Sequence, residues 1–569
     1  MTAADDRPWL RHYDEGVPPT IAVPDVTLPE LLDRTAARAP GKVALRFFLD
    51  PRMPVPALTW AQLRERTLRF ATALFQLGVR KGDRVAIMLP NCPEFVVAFY
   101  GALRIGAVPV NTNPMYVARE MREQFGDSGC ETLVLLDQFF PRLREIHAAT
   151  RVRRAIVVDL TEGLPWPARS LARLAQSRRG ERAKVPAETD VSFFHELLRS
   201  YPPTPPGASL LPTDVALLQY TGGTTGAPKG AMLTHRNLVA NGLQARSWFP
   251  RLREEHEVIL GAVPLFHAYG LLSVLFLGVA GVAEIVLLPR PRPDAVLEAL
   301  HRFRPTLFPG VPTLYAGIID HPRVGEYDLR TGTQCLSGAA SLPARLVERF
   351  EALTGGRLVE GYGLTETSPL THGNPIHGER RVGSIGVPVP GTDARIVDLA
   401  TGEPLPPGGE GELEVHGPQV MLGYWNRPAE TAEMMHDGWL RTGDISRMDS
   451  DGYFYVVDRR KDMIDASGFK VFPREVEEVL LMHPAVREAV VAGVPDVYRG
   501  ETVKAFIVLR PGATASAAEI VEFSRLHLAA FKVPRKVEFR SELPKSMVGK
   551  YLRRVLVEEE RPPESSRGY

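Results

Sequence analysis

The sequence predicts an α/β protein in two unequal parts: a large N-terminal domain of stacked α/β layers with a β-rich portion, and a small α+β domain after it. Three observations carry this expectation. At 569 residues the chain exceeds the roughly 250–300 residues at which single cores stop growing, so two or more domains are expected. Short apolar, β-branched runs alternate with helical patterns over most of the length, the signature of a sheet with crossover helices. From residue 394 the texture changes to glycine-punctuated strands, and another set of helix and strand patterns follows residue 458.

Taken in order, residues 84–89 read as a strand, 93–104 as a helix closed by Gly106, and 107–110 as the next strand. Strand patterns recur at 132–136, 155–159, 216–220, 258–263 and 306–309, then at 394–398 and 412–417. The last unit offers helices at 474–482, 518–530 and from about 550, with strands at 489–494, 503–509 and 536–540. The apolar run 271–288 has the length of a membrane span but contains Gly278, Gly281 and Glu284. It reads instead as a buried helix to residue 280 and a buried strand over 283–288. Residues 164–186 and 202–212, rich in Pro and Arg, read as a surface excursion. Within the first of these, Ala168 to Ala175 interleaves Arg with Leu, a pattern that can lie on anionic lipid or form a solvated helical face.

Composition narrows the function. Hydrophobic residues make up 44% and charged residues 24%, ordinary globular values. With 68 basic and 67 acidic residues the net charge of +1 provides no field for a polyanion, which disfavours nucleic acid as a partner. Cys92, Cys130 and Cys335 are widely separated, so neither a disulfide framework nor a zinc site is readable, and a reducing cytoplasm is expected. Asp5, Asp6 and Arg7 stand where an export signal needs apolar residues, and Arg567-Gly568-Tyr569 is no peroxisomal address.

The densest motif is Tyr220-Thr221-Gly222-Gly223-Thr224-Thr225-Gly226-Ala227-Pro228-Lys229-Gly230, which follows the strand pattern 216–218 and precedes the helix pattern 236–242. Glycines, hydroxyls and one lysine can wrap backbone N–H groups, Thr oxygens and an ammonium around phosphates. It is not a Walker A loop, since no Gly-x-x-x-x-Gly-Lys-Ser/Thr occurs there.

This loop resembles the phosphate-binding signature of the adenylate-forming superfamily of acyl-CoA synthetases, peptide synthetase adenylation domains and luciferases. Further motifs follow in the superfamily's order: Pro264-Leu265-Phe266-His267, Gly361-Tyr362-Gly363-Leu364-Thr365-Glu366-Thr367, Thr442-Gly443-Asp444, Asp458-Arg459-Arg460-Lys461-Asp462, and Pro544-Lys545-Ser546-Met547-Val548-Gly549-Lys550. Weaker similarity, as in Asn111-Thr112-Asn113-Pro114-Met115-Tyr116, reaches back toward residue 30. The segments Glu360 to Leu370, Gly417 to Trp425 and Ser467-Gly468-Phe469-Lys470-Val471-Phe472-Pro473 are most similar to bacterial long-chain fatty-acid CoA ligases.

The resemblance implies activation of a fatty acid with ATP to an acyl-adenylate, then transfer to coenzyme A, with Mg2+ as cofactor. It places Thr221, Gly222, Gly223, Thr224, Thr225, Gly226 and Lys229 on the phosphates, and Glu366 with Thr225 at the metal. Gly361, Tyr362 and Gly363 would face the adenine, Asp444 the ribose, and Arg459 the ribose or a phosphate. Thr365 and Glu366 would join Lys550 and His267 in catalysis. Lys550 would reach the carboxylate and α-phosphate oxygens, although most lysines are simply solvated. His267 is either a satisfied core histidine or the group that orients the substrate carboxylate. Val311, Gly338 and Ala339 would wall the acyl pocket, and Gly468, Phe469 and Lys470 would approach coenzyme A.

The same resemblance divides the chain into an AMP-binding domain over 1–457, a hinge over 458–461 centred on Lys461, and a mobile domain over 462–569. Peripheral membrane contact and a homodimer are further partners to test. The rivals are a fatty-acyl-AMP ligase that loads a carrier protein, an aryl or medium-chain acyl-CoA ligase, a luciferase-like monooxygenase, and a fatty-acid binding protein without catalysis.

Overall fold

The computed structural model describes residues 7–186, 188–221, 228–459, 462–466, 469–496, 500–546 and 549–560; the side chains of residues 459, 465, 466, 469, 470 and 500 are not among them. Two large sheets dominate. One has nine strands in the order Val387–Pro388, Leu370–Gly373, Arg357–Gly363, Gln334–Ser337, Leu307–Gly310, Val258–Gly261, Glu284–Leu287, Val43–Phe47, Ala57–Thr59. The other has eight, in the order Gly423–Tyr424, Lys229–Thr234, Val215–Thr221, Val108–Asn111, Arg84–Met88, Thr132–Leu136, Arg154–Val158, Val191–Phe193. Their central strands run parallel and carry continuous Val, Ile and Leu, as expected for strands covered on both faces.

Helices fill the space around these sheets. Helix Pro93–Arg104 is buried without a break from Glu94 to Leu103, and the helical run Ala268–Gly270, Leu271–Phe276, Leu277–Ala280 is almost wholly buried. A helix apolar all round belongs inside a large protein. Its middle segment, Leu271–Phe276, is a widened π turn, a feature frequent near functional sites. Among the described residues no helix is long and apolar enough to cross a membrane.

A third, five-stranded antiparallel sheet contains Asp393–Val397, Glu410–His416, Met435–His436, Trp439–Met448 and Phe454–Arg459. Residues near the start of the described chain hold it from outside. Trp9 packs edge-on against Phe454, Arg7 pairs with Asp393 at 2.8 Å, and Arg11 pairs with Asp451. A fourth sheet comprises Ile464–Ala466, Phe469–Val471, Val486–Asp496, Gly500–Leu509 and Lys536–Phe539, with its own apolar core around Ile464, Val476, Val491 and Ile507.

Most predicted elements lie within two residues of the observed ones, and the run after residue 271 is the expected buried helix followed by a strand. The helix expected over 236–242 lies within helix His235–Trp248, and an element not anticipated precedes it: Lys229–Thr234 forms a strand paired antiparallel with Val215–Thr221. The loop segment therefore lies in the chain between two paired strands. The helix expected over 518–530 ends at Arg525, and the closing helix begins at Arg553 rather than at residue 550.

Candidate active site

Several of the sequence-predicted residues come together in groups: Lys229 and Glu366 about Tyr424, Tyr362 with Asp444, and His267 within range of the Lys550 charge. Thr221 and Lys229 face each other as the last and first residues of a strand pair, so the ammonium leaves from the base of the loop. The Lys229 Nζ lies 5.2 Å from the centre of the Tyr424 ring, within cation–π range. Gly222, Gly223, Thr224, Thr225 and Gly226 lie outside the described residues.

Glu366 sits in a short turn, Thr365–Thr367, after the strand Arg357–Gly363 that carries Gly361, Tyr362 and Gly363. Its carboxylate is buried, and Oε1 accepts a hydrogen bond from the Tyr424 hydroxyl at 2.6 Å. Burial first and the neighbouring Glu366 charge second push the Tyr424 phenol well above its ordinary value, so it stays a donor. Among the described residues no hydrogen bond goes to Oε2, and no cluster of three or more His, Cys, Asp or Glu could hold a metal. One free carboxylate oxygen fits Mg2+, which takes few protein ligands and fills its shell with water and substrate phosphates.

Across the cleft the Tyr362 hydroxyl donates to Asp444 Oδ2 at 2.6 Å, joining the predicted adenine and ribose segments. Asp444 is buried on strand Trp439–Met448 and stands opposite Arg459 in the register with Phe454–Arg459. The Arg459 side chain is not described.

His267 is partly buried. Burial, with the Lys550 charge as a second cause, lowers its pKa to about 4, so the ring is neutral near pH 7. Nδ1 accepts the Tyr269 backbone N–H at 3.2 Å, which puts the ring proton on Nε2. A neutral imidazole with an Nε2 proton can donate to a carboxylate oxygen; it has no need to remove a proton from an acid already ionised.

The turn that presents His267 is fixed by buried amides that sequence reasoning did not single out. Gln124 donates to the Asn111 carbonyl at 3.0 Å, Asn111 to Gln219 Oε1 at 2.9 Å, and Gln219 to the Phe266 carbonyl at 2.9 Å. Asn91 donates to the Gly261 and Val263 carbonyls and accepts from Leu265 N–H. Asn91 and Gln219 have both side-chain oxygen and nitrogen paired, whereas Asn111 Oδ1 and Gln124 Oε1 are buried without a hydrogen-bond partner among the described residues; breaking one of the bonds made would leave a further costly orphan.

Lys550 arrives from the fourth sheet's side on a tight loop in which Gly549 N–H donates to Ser546 O and Lys550 N–H to Ser546 Oγ. Gly549 has φ +73°, and a Cβ there would stand 2.4 Å from Thr313 Oγ1, so only glycine lets this loop seat on the large domain. The Lys550 charge lies near enough to act as the second cause of the lowered His267 pKa.

Of the predicted acyl-pocket residues, Val311 and Gly338 are buried and Ala339 is exposed, with a left-handed φ of 69°. A Cβ on Gly338 would meet the Tyr269 ring at 3.2 Å, while the Tyr269 hydroxyl donates to Leu336 O at 2.6 Å. Beyond that strand lies a narrow apolar cavity lined by Ala245, Phe249, Leu272, Leu277, Leu307 and Leu336 among others; Val311, Gly338 and Ala339 do not line it. Lys461 and Gly468 lie outside the described residues, and Phe469 and Lys470 are placed only as strand backbone.

Comparison with known proteins agrees with this fold. Residues 32–425 match the family described as AMP-binding enzyme, and residues 475–550 match the AMP-binding enzyme C-terminal domain. A long-chain-fatty-acid–CoA ligase of Bacillus subtilis (strain 168) is 45% identical over 560 residues, 97% of this chain and 98% of the relative. Among solved structures, the anthranilate CoA ligase AuaEII in complex with anthranoyl-AMP superposes with a TM-score of 0.82 at 28% identity, covering 95% of this chain and 98% of that one. ATP-bound MatB from Rhodopseudomonas palustris gives 0.78 at 29% identity, covering 94% and 99%.

Proposed function

The chain belongs to the AMP-binding enzyme family, and from that membership we propose that it is an ATP-dependent long-chain-fatty-acid–CoA ligase. It activates a fatty acid to acyl-AMP with release of pyrophosphate, then transfers the acyl group to coenzyme A, releasing AMP. The observation that carries the reading is that motifs far apart in sequence pair in space, Tyr362 with Asp444 and Tyr424 with Glu366, with the Lys550 charge felt at His267.

The chemistry follows from that arrangement. A carboxylate must attack the α-phosphorus, one anion approaching another, so positive charge and positioning supply most of the barrier lowering. Neutral His267 holds one carboxylate oxygen by its Nε2 proton, and Lys550 bridges the carboxylate and the α-phosphate. Lys229 neutralises phosphate charge at the base of the loop, while Asp444 accepts from the ribose hydroxyls. Glu366, with Thr225, would hold Mg2+, which would supply charge neutralisation at the phosphates. Val311, Gly338 and Ala339, beside Tyr269, wall the acyl pocket.

The two half-reactions use one cleft in two arrangements. Residues 1–457 form the AMP-binding domain, 458–461 the hinge, and 462–569 the domain that turns about Lys461. Rotation withdraws Lys550 and brings the segment of Gly468, Phe469 and Lys470 toward the thiol path. A panel of acids of increasing length, with aryl acids included, assayed for coenzyme A-dependent AMP release tests the assignment. Long-chain acids are expected to give the highest kcat/KM. Preference for aryl acids, or acyl-AMP that accumulates in the presence of coenzyme A, would overturn it.

A further inference from the structure

We propose that helix Ala168–Arg178, with Trp166 just before it, docks this protein on an anionic lipid surface through its outward leucines. A soluble surface helix ordinarily turns its leucines inward and its arginines out. This one is reversed. Ala172 is its single buried residue, and Arg169 and Arg173 turn toward the protein. Arg173 donates to Asp159 Oδ2 at 2.8 Å, and Arg169 donates to the Glu162 carbonyl at 3.1 Å. The two arginines that the sequence pattern offers to lipid are thus already committed to the protein's own carboxylate and carbonyl.

The opposite stripe is apolar and open. Leu171 is 65% exposed, Leu174 50% and Trp166 81%. Arg178, at i+4 from Leu174 and i+7 from Leu171, falls on the same stripe. It is followed by exposed Arg179 and Lys184, and among the described residues none of these three cations has an ion pair. Nearby Asp159 is neutralised by Arg173, and Glu181 by Arg290 at 2.9 Å. The patch is therefore an aromatic ring and two leucines with uncompensated positive charge at one end.

That combination selects the occupant. Three projecting side chains make a face far smaller than the roughly 800 Å² per partner of a stable protein interface. They suit shallow insertion at a headgroup boundary, where Trp is favoured and Arg or Lys meets lipid phosphate. Such a surface binds weakly and reversibly, and its strength depends on anionic lipid and falls with salt. The inference stands on the surface alone and does not need the assignment of substrate.

Flotation with vesicles of phosphatidylcholine, with and without about one third phosphatidylglycerol, tests it. The full chain is expected to float with the anionic vesicles and to be released as salt rises. Leu171→Ser/Leu174→Ser should lower partitioning by about tenfold or more, and Arg178→Glu/Arg179→Glu should remove the preference for anionic lipid. Bromine-labelled acyl chains should quench tryptophan fluorescence in the parent and not in Trp166→Phe, because Trp166 is the exposed tryptophan of the described chain. Unchanged melting temperatures and unchanged adenylation of a detergent-dispersed acid would show that the variants fold. No flotation of the parent with anionic vesicles, or quenching that survives Trp166→Phe, would overturn the proposal. So would a dimer in sedimentation that Leu171→Ser/Leu174→Ser dissolves, since the face would then belong to a second copy.

Discussion

The Tyr424 hydroxyl and the Glu366 carboxylate, 58 residues apart in sequence, share a 2.6 Å hydrogen bond, and the Tyr424 ring also lies under the Lys229 ammonium. One side chain thus positions both the acid expected to hold the metal and the base expected to hold phosphate. Tyr424→Phe keeps the ring and removes the hydroxyl. A hydrogen bond to a charged group contributes about 1.5–3 kcal/mol, so kcat/KM for ATP should fall by roughly tenfold or more, with a raised Mg2+ requirement. Steady-state titrations of ATP and Mg2+ check this; parental values for both would remove Tyr424 from the site.

Lys550→Ala separates the two half-reactions. Loss of a donor aimed at developing charge costs roughly 3–4 kcal/mol, so pyrophosphate release from acid and ATP should fall by two to three orders of magnitude. Thioester formation from supplied acyl-AMP and coenzyme A should be largely spared. Equal loss of both halves would contradict the role given to Lys550.

Lys461→Pro addresses the hinge. Arg474 ties the two sides of this boundary, donating its N–H to Asp458 Oδ2 at 2.7 Å and its Nη1 to Val456 O at 2.8 Å. Fixing φ at residue 461 should hold one arrangement, leaving adenylation measurable while acyl transfer slows strongly. A folded Pro variant that acylates coenzyme A at the parental rate would move the pivot elsewhere within 452–468.

Acid should destabilise the protein before its surface carboxylates protonate. Burial lowers the pKa of His235 and of His267 from the ordinary 6.5 to about 4, and that of His372 to about 3. Between those values and 6.5 the unfolded chain holds more protons than the native one, so stability is full above pH 6.5 and is lost as pH falls toward 4. Each such imidazole accounts for about 2 kcal/mol at pH 5. Buried Glu360, raised to about 7, and Asp137, raised to about 6, act in the opposite sense, but they are two groups against three. Urea unfolding at pH 7 and pH 5 should show the loss, and His372→Asn should reduce it. An equal loss in that variant would show that His372 is not buried as the neutral ring.

The sheets were legible because their strands are short unbroken runs of branched apolar residues, as at Thr132–Leu136, and because helices such as Pro93–Arg104 start on Pro and are followed by Gly106. The strand Lys229–Thr234 was not, since Lys-Gly-Ala-Met-Leu-Thr has little β-branching and becomes a strand by pairing with Val215–Thr221. Site segments were visible as motifs, but their partners were not. Nothing local to Gln124, Asn111 or Gln219 marks them as one buried amide chain, and nothing in Tyr424 marks Glu366 as its acceptor. Arg173 and Leu174 were seen together, yet which of them faces outward depends on Asp159 beneath the helix.

The clamp formed by Trp9, Arg7 and Arg11 has a consequence for synthesis. Arg11 meets Asp451 across a separation of 440 residues, and Trp9 rests on Phe454, in the strand that leads to residue 459. At about 5–20 residues per second, this segment leaves the ribosome roughly 20–90 s before its partners do. Until then the indole of Trp9 has no native place to lie, and the third sheet lacks its outer brace. Completion of the third sheet is thus timed by the emergence of the strand that leads to residue 459, so the fourth sheet, which follows it, is born onto a support that has only just closed.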